Sequence, residues 1–151
     1  MRIYVESSVF GDYAPNASYQ QAMAAIVFNR IRAGRDQLVV SSVTKAEIAR
    51  APLNLQQFYL SLATLAELLP LVLPARRLAR AYIAGGALPR TKVRDALHVA
   101  LATTARCDVL LSWDADITRP SKVAKYHQIN LQSNQPTLLI TTPDVFLQTY
   151  P

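Results

Sequence analysis

The residues that most restrict what this chain can become are Val109-Leu110-Leu111-Ser112-Trp113, a short apolar run that ends directly on Asp114. An uninterrupted run of this kind is a strand buried on both faces, as in parallel sheets packed between helices. Arg2-Ile3-Tyr4-Val5, Leu38-Val39-Val40 and Leu138-Leu139-Ile140 repeat it, and Leu71-Val72-Leu73 supplies a fifth before Pro74. Between these runs the apolar residues recur at helical spacing. One helix is expected over 19–32 with Gly34 as its stop, and another, capped by Ser41 or Ser42, carries Val43, Ala46, Glu47 and Ile48 and ends at Pro52. A long helix is expected over 55–69, another over 74–84 closed by Gly85-Gly86, and another opened by Pro89 and Thr91 that runs to about Arg106. In the last of these Val93, Leu97, Ala100 and Leu101 are expected to face inward. A polar helix over 120–130 and a closing turn over 143–147 complete the pattern. Strands alternating with helices predict an α/β fold, a three-layer α/β/α sandwich around a central, mostly parallel sheet.

At 151 residues the chain suits a single domain spanning 1–151, and 51% hydrophobic against 17% charged residues excludes a disordered chain. The longest apolar stretch, 59–75, is interrupted by Glu67, Pro70 and Pro74, which argues against a membrane span. Glu6 arrives before a secretory hydrophobic region can develop. Cys107 is the only cysteine, so an internal disulfide and a cysteine-rich metal site are excluded, and a reducing cytoplasm is the expected location. Sixteen Lys and Arg against ten Asp and Glu give a net charge of +6, which suits a polyanionic partner, although a basic solvated surface needs none.

In an open parallel sheet the functional crevice lies beyond the carboxyl ends of the strands. Glu6 follows the first strand and Asp114 follows the fourth; Glu47 lies in the helix after the second, and Asp95 opens the helix that leads to the fourth. Right-handed winding would bring all four to one edge. Clustered carboxylates repel one another, so they either take up protons or recruit a hard cation such as Mg²⁺ or Mn²⁺, which could position an attacking water and neutralise charge on a phosphate. Each acid also has a plainer role: Asp95 complements a helix dipole, Glu47 lies near Lys45 and Arg50 on a solvated face, and Asp114 suits a turn. Asp116 could be a fifth acid or an ordinary loop residue, and Asp12 suits a solvated turn beside Tyr13 and Pro15. Ser8 could reach a phosphate oxygen or simply cap a helix. His98, one helical turn beyond Asp95, suits packing or a hydrogen bond, and the ring of Trp113 should point into the core. Arg90, Lys92, Arg94, Arg119 and Lys122 are candidates for phosphate contacts at the rim. Phosphate-loop and dinucleotide-fold motifs are absent from the sequence.

Glu6-Ser7-Ser8-Val9-Phe10 resembles the opening motif of the PIN-domain family, usually an acid followed by Ser/Thr-Ser and an apolar pair. Asp95-Ala96-Leu97-His98-Val99-Ala100-Leu101-Ala102 and Asp108-Val109-Leu110-Leu111-Ser112-Trp113-Asp114 are similar to that family's second half, and Thr141-Thr142-Pro143-Asp144 to the tail of one bacterial subgroup. The resemblance implies a metal-dependent ribonuclease of the VapC-like toxin type, hydrolysing RNA phosphodiesters with Mg²⁺ or Mn²⁺, partnered by a small antitoxin protein and often homodimeric. It makes Glu6, Asp95 and Asp114 the inner metal ligands, with Glu47 completing the site or orienting the attacking water. Glu6 departs from the aspartate commonest at its place, and its extra methylene carries the carboxylate about 1.5 Å further. A silent PIN-type module that binds RNA or a protein partner is the alternative. The leucines of 55–73 suit either a buried helix pair or an interface with a second copy or an antitoxin helix.

Overall fold

The computed structural model describes residues 1–11 and 17–151, so Asp12 and Tyr13 lie outside the described residues. In chain order the elements are β1 (Arg2–Val5), α1 (Ser7–Phe10), α2 (Ala17–Arg32), β2 (Gln37–Ser41), α3 (Ser42–Ile48), α4 (Leu53–Ala63), β3 (Ala66–Leu69) and α5 (Leu73–Ala84). A 3₁₀ turn (Arg90–Lys92) then leads to α6 (Val93–Thr104), β4 (Val109–Leu111), α7 (Ala115–Thr118), α8 (Pro120–Gln132), β5 (Leu139–Thr141) and α9 (Pro143–Thr149). The five strands form one parallel sheet in the order β3-β2-β1-β4-β5. Among the described residues no helix is long and apolar enough to cross a membrane.

Alternation along each strand builds the three layers. Ile3, Val5, Leu38, Val40, Val109 and Leu111 point to one face and pack with Val27 and Phe28 of α2, Leu62 of α4 and Phe146 of α9. Tyr4, Val39, Leu110 and Ile140 point to the other, against α5, α6 and α8 through Leu78, Tyr82, Val99 and Tyr126. Fully burying one such aliphatic side chain stabilises the fold by about 1.5–3 kcal/mol, so the central strands are held from both sides. The expected α/β three-layer, PIN-like architecture is the one observed.

The third strand is not where the sequence places it. The helix expected over 55–69 ends at Ala63, where Leu65 N–H returns to Leu62 C=O at 2.9 Å, and Ala66–Leu69 then pairs with β2 from Leu38↔Ala66 to Ser41↔Leu69. Leu71-Val72-Leu73 is no strand, and Leu73 already belongs to α5, with Pro74 in its first turn. The difference has a physical cause. An edge strand pairs on one side only and buries half its surface, and the leucines at 62, 65 and 69 also fit helical spacing. Leu65 and Leu68 are 46% and 48% exposed, and Leu53 and Leu60 more so, which puts the surplus leucines on the surface and not in a buried helix pair. Val93, expected inward, is 46% exposed because it starts α6 beyond the sheet; Ala96, Val99, Ala100 and Leu101 form its inner face. The segment after Asp114 is not a plain loop but the short helix α7.

β2 ends on Ser41, which caps α3 by accepting the Thr44 N–H at 3.2 Å, and Thr44 Oγ1 accepts the Ser41 N–H in return. The Ser41 hydroxyl also lies 2.7 Å from the Tyr4 hydroxyl, inside the core. Ser41→Ala is expected to lower stability by about 1–2 kcal/mol in urea titration, because it strips a cap and a buried phenol partner together. An unchanged midpoint would contradict it.

Candidate functional site

The sheet order places β1 and β4 side by side at the point where strand order reverses, and their ends are in register, Val5 opposite Leu111. Glu6 N–H donates to Leu111 C=O at 3.0 Å, so the residues after the two strands emerge together. Glu6 caps the short helix α1 and is buried. Its Oε2 accepts from Ser8 N–H at 3.1 Å, Ser8 Oγ at 2.5 Å and Ser112 Oγ at 2.8 Å. Its Oε1 accepts from Ser7 Oγ at 2.6 Å. Three hydroxyls and an amide therefore fix this carboxylate, which meets the requirement that a buried charge be hydrogen-bonded.

Glu47 stands across from it. Ser7 Oγ lies 3.2 Å from Glu47 Oε2, and the fully buried His98 donates its Nε2 proton to Glu47 Oε1 at 2.5 Å. The other ring nitrogen, Nδ1, is 2.7 Å from the Tyr4 hydroxyl, which continues to Ser41. A polar chain thus runs from β2 through Tyr4, His98, Glu47 and Ser7 to Glu6. Burial pushes the His98 pKa down, but the hydrogen bond to Glu47 and the charges of Glu6, Glu47 and Asp95 prevail and raise it. Burial would raise the Glu47 pKa, yet the bonds from His98 and Ser7 and the charges of His98 and Arg94 lower it. Both shifts favour the imidazolium–carboxylate form of the pair.

A second acidic group lies beside the first. Asp95, in the first turn of α6, Asp114 and Asp116 bring carboxylate oxygens within 4.8 Å of one another. Asp114 is aimed by its own surroundings: it caps α7 by accepting Asp116 N–H at 2.8 Å, and its backbone N–H donates to Ser112 Oγ at 3.0 Å. Ser112 consequently touches Glu6 and Asp114 at once. Lys92 contributes one positive charge, 3.4 Å from Asp116. Burial, then the negative charges of Asp114 and Glu6, push the Asp95 pKa up to about 6, against the pull of His98 and Lys92.

The four acids singled out in the sequence thus gather at one sheet edge, but as two groups. Glu6 and Glu47 share His98, whereas Asp95 and Asp114 share Asp116. Ser8 spends its hydroxyl proton on Glu6 and accepts Trp113 N–H at 2.9 Å, so it ties the ends of β1 and β4 together. Of the basic candidates, Lys92 faces the acids and Arg94 acts on Glu47 by charge, while Lys122 is anchored to Ala87 C=O at 2.8 Å. Arg90 and Arg119 are exposed. Trp113 is half-buried and packs on the α2–α4 side of the sheet. Tyr4 and Ser112 escape sequence reading as site residues, and Ser41 is legible only as a helix cap, since a tyrosine inside a strand and a single serine after one carry no signal by themselves.

The fold is similar to that of a chain in the crystal structure of VapBC2 from Rickettsia felis bound to a DNA fragment from their promoter. The superposition has a TM-score of 0.59 and covers 94% of this chain and 98% of that one, at 13% sequence identity. This is a likeness of fold. No family model matches the sequence, and no curated protein matches it either.

The donor set suits a hard divalent ion. Asp95, Asp114 and Asp116 offer only carboxylate oxygens, the ligands that Mg²⁺ and Mn²⁺ prefer, and all three are half-buried. Burial, and then the charges of Asp114 and Glu6, already raise the Asp95 pKa. Glu6 and Glu47 sit behind the aspartates, and both accept hydrogen bonds within the protein, Glu6 from Ser7, Ser8 and Ser112 and Glu47 from His98.

Proposed function

We propose that the chain acts as a single PIN-like domain, a metal-dependent ribonuclease that hydrolyses RNA phosphodiester bonds and serves as the toxin of a toxin–antitoxin pair. The observation that carries the reading is the convergence of Asp95, Asp114 and Asp116 beside the Glu6–Glu47–His98 group at the strand-order reversal. The fold-level likeness to a VapBC2 chain supports the antitoxin partner. Asp95 and Asp114 would hold Mg²⁺ or Mn²⁺, with Asp116 and Glu6 beside them, and the ion would supply charge stabilisation to the phosphate and acidify water. In the hydrolysis a water oxygen would bond to phosphorus as a phosphorus–oxygen ester bond breaks, the water proton would pass to a carboxylate base, and the leaving oxygen would take up a proton from solvent. Glu47, whose Oε1 accepts the His98 Nε2 proton, would stay ionised and serve as that base near the aspartates. Lys92 and Arg94 face the same edge and would meet phosphate oxygens. A homodimer and a cytoplasmic location belong to the same proposal.

The test is calorimetric Mn²⁺ titration of the purified chain and of Asp114→Asn, with RNA cleavage assayed on the same samples. The parent should take up the ion and cleave, and the variant should do neither. RNA binding without ion uptake or cleavage in the parent would instead support the silent module.

A further inference from the structure

The positive charge is distributed one-sidedly. Residues 68–94 and 117–143 contain nine of the sixteen Lys and Arg and none of the ten Asp and Glu. These stretches include α5, the 3₁₀ turn and α8, and α5 packs directly on α8. Among the described residues only Lys92 of the nine forms an ion pair, so the net charge of +6 is concentrated on this layer.

Within it Arg80 of α5, Arg90 of the 3₁₀ turn and Lys122 of α8 surround a surface concavity of about 650 Å³, with Ile83 and Leu88 as its apolar lining. The loop that frames it is rigidly set. Gly86 takes φ +78°, Ala87 N–H returns to Tyr82 C=O at 2.9 Å, and a Cβ on Gly85 would lie 2.7 Å from Ile129 Cδ1 of α8. Lys122 Nζ donates to Ala87 C=O at 2.8 Å, which pins the ammonium at the rim and leaves its other protons for a ligand. Neither arginine pairs with a carboxylate among the described residues, so both forks are available to an anion. The concavity adjoins the acids along the chain: Arg90 starts the turn whose Lys92 pairs with Asp116 and which leads into the α6 turn bearing Asp95.

We infer that Arg80, Arg90 and Lys122 form a phosphate subsite that holds the backbone of a single-stranded RNA beside the acidic cluster. The proposal rests on the ribonuclease reading for the strand's destination, but the subsite is defined by its own residues. Two guanidinium groups and an ammonium recognise phosphodiester oxygens, and the apolar lining suits an unpaired ribose or base, which a duplex keeps stacked away. Lys92 bridges the two places, so a strand seated in the concavity runs past it towards Asp95 and Asp114.

The experiment is fluorescence anisotropy with a short labelled oligo-uridylate in EDTA, across a salt series, on the full chain and three variants. Arg80→Gln with Arg90→Gln should weaken binding about tenfold and reduce the log–log salt slope by about 1.4, the share of two phosphate contacts on a single strand. Arg80→Lys with Arg90→Lys should restore the slope. Arg35→Gln with Arg50→Gln, two exposed arginines on other segments, should change neither. Binding with the parent slope in the glutamine pair would overturn the subsite, and if Mn²⁺-dependent cleavage persists there the ribonuclease reading survives alone. Loss of binding in the pair, from a parent that binds but never cleaves, would keep the subsite and overturn that reading. Equal competition by polyglutamate of matched charge would overturn RNA as the ligand in favour of an acidic protein.

Discussion

Replacing Asp95 by asparagine is expected to abolish Mn²⁺-dependent RNA cleavage while making the folded chain more stable at pH 8. The two effects have one origin. The Asp95 carboxyl is half-buried beside Asp114 and Glu6, and its pKa is raised to about 6, whereas an unfolded aspartate titrates near about 3.9. The folded chain therefore binds its proton more tightly than the unfolded chain does. Stability is greatest below about pH 4, falls as the pH rises through about 6, and is lower by about 2 kcal/mol once the group has ionised. Asparagine removes the ionisation and with it the decline. It also removes an oxygen donor from the aspartate group, and ion stabilisation worth several kcal/mol corresponds to a loss of about a thousandfold in cleavage. Urea unfolding in EDTA at pH 5 and pH 8 checks the first effect: the variant should gain at pH 8 and gain less at pH 5. A variant that cleaves like its parent, or is destabilised at both pH values, would show that Asp95 is not a crowded ligand.

His98→Leu should carry the largest stability loss of any single substitution at the site, about 3–5 kcal/mol. The ring is fully buried between Tyr4 and Glu47, and leucine fits its volume but offers neither a proton to Glu47 Oε1 nor a partner to the Tyr4 hydroxyl. The carboxylate would then face Glu6 and Ser7 without its counter-charge. Because the folded His98 pKa is raised, its contribution is complete below the unfolded value of about 6.5 and is lost as the pH passes the folded value. The parent and variant curves should consequently converge towards alkaline pH. Tyr4→Phe, which removes only the phenol oxygen, should cost about 1–3 kcal/mol and leave that convergence in place. Curves that stay parallel from pH 5 to pH 9 would mean that His98 acts by packing alone.

Much of the fold was legible because each strand is short, apolar and bounded. Arg2–Val5, Leu38 to Val40 and the run ending at Leu111 had to be buried on both faces, and a serine at the end of the second strand had to cap the next helix. The third strand was not legible, since an edge strand half-exposes its leucines and its spacing imitates a helix. For the site, position after a strand singled out Glu6 and Asp114, a first helical turn Asp95, and the helix after the second strand Glu47. Their division into two groups could not be read in the same way. It depends on which carboxylate oxygen meets which hydroxyl, and Ser112, Ser7 and Tyr4 take part only because β1 and β4 end in register and α6 presents His98 to Tyr4 and Glu47. Local pattern determines what is buried along one element, because burial follows periodicity. Contacts across about a hundred residues of chain follow the packing of whole layers, which periodicity does not encode.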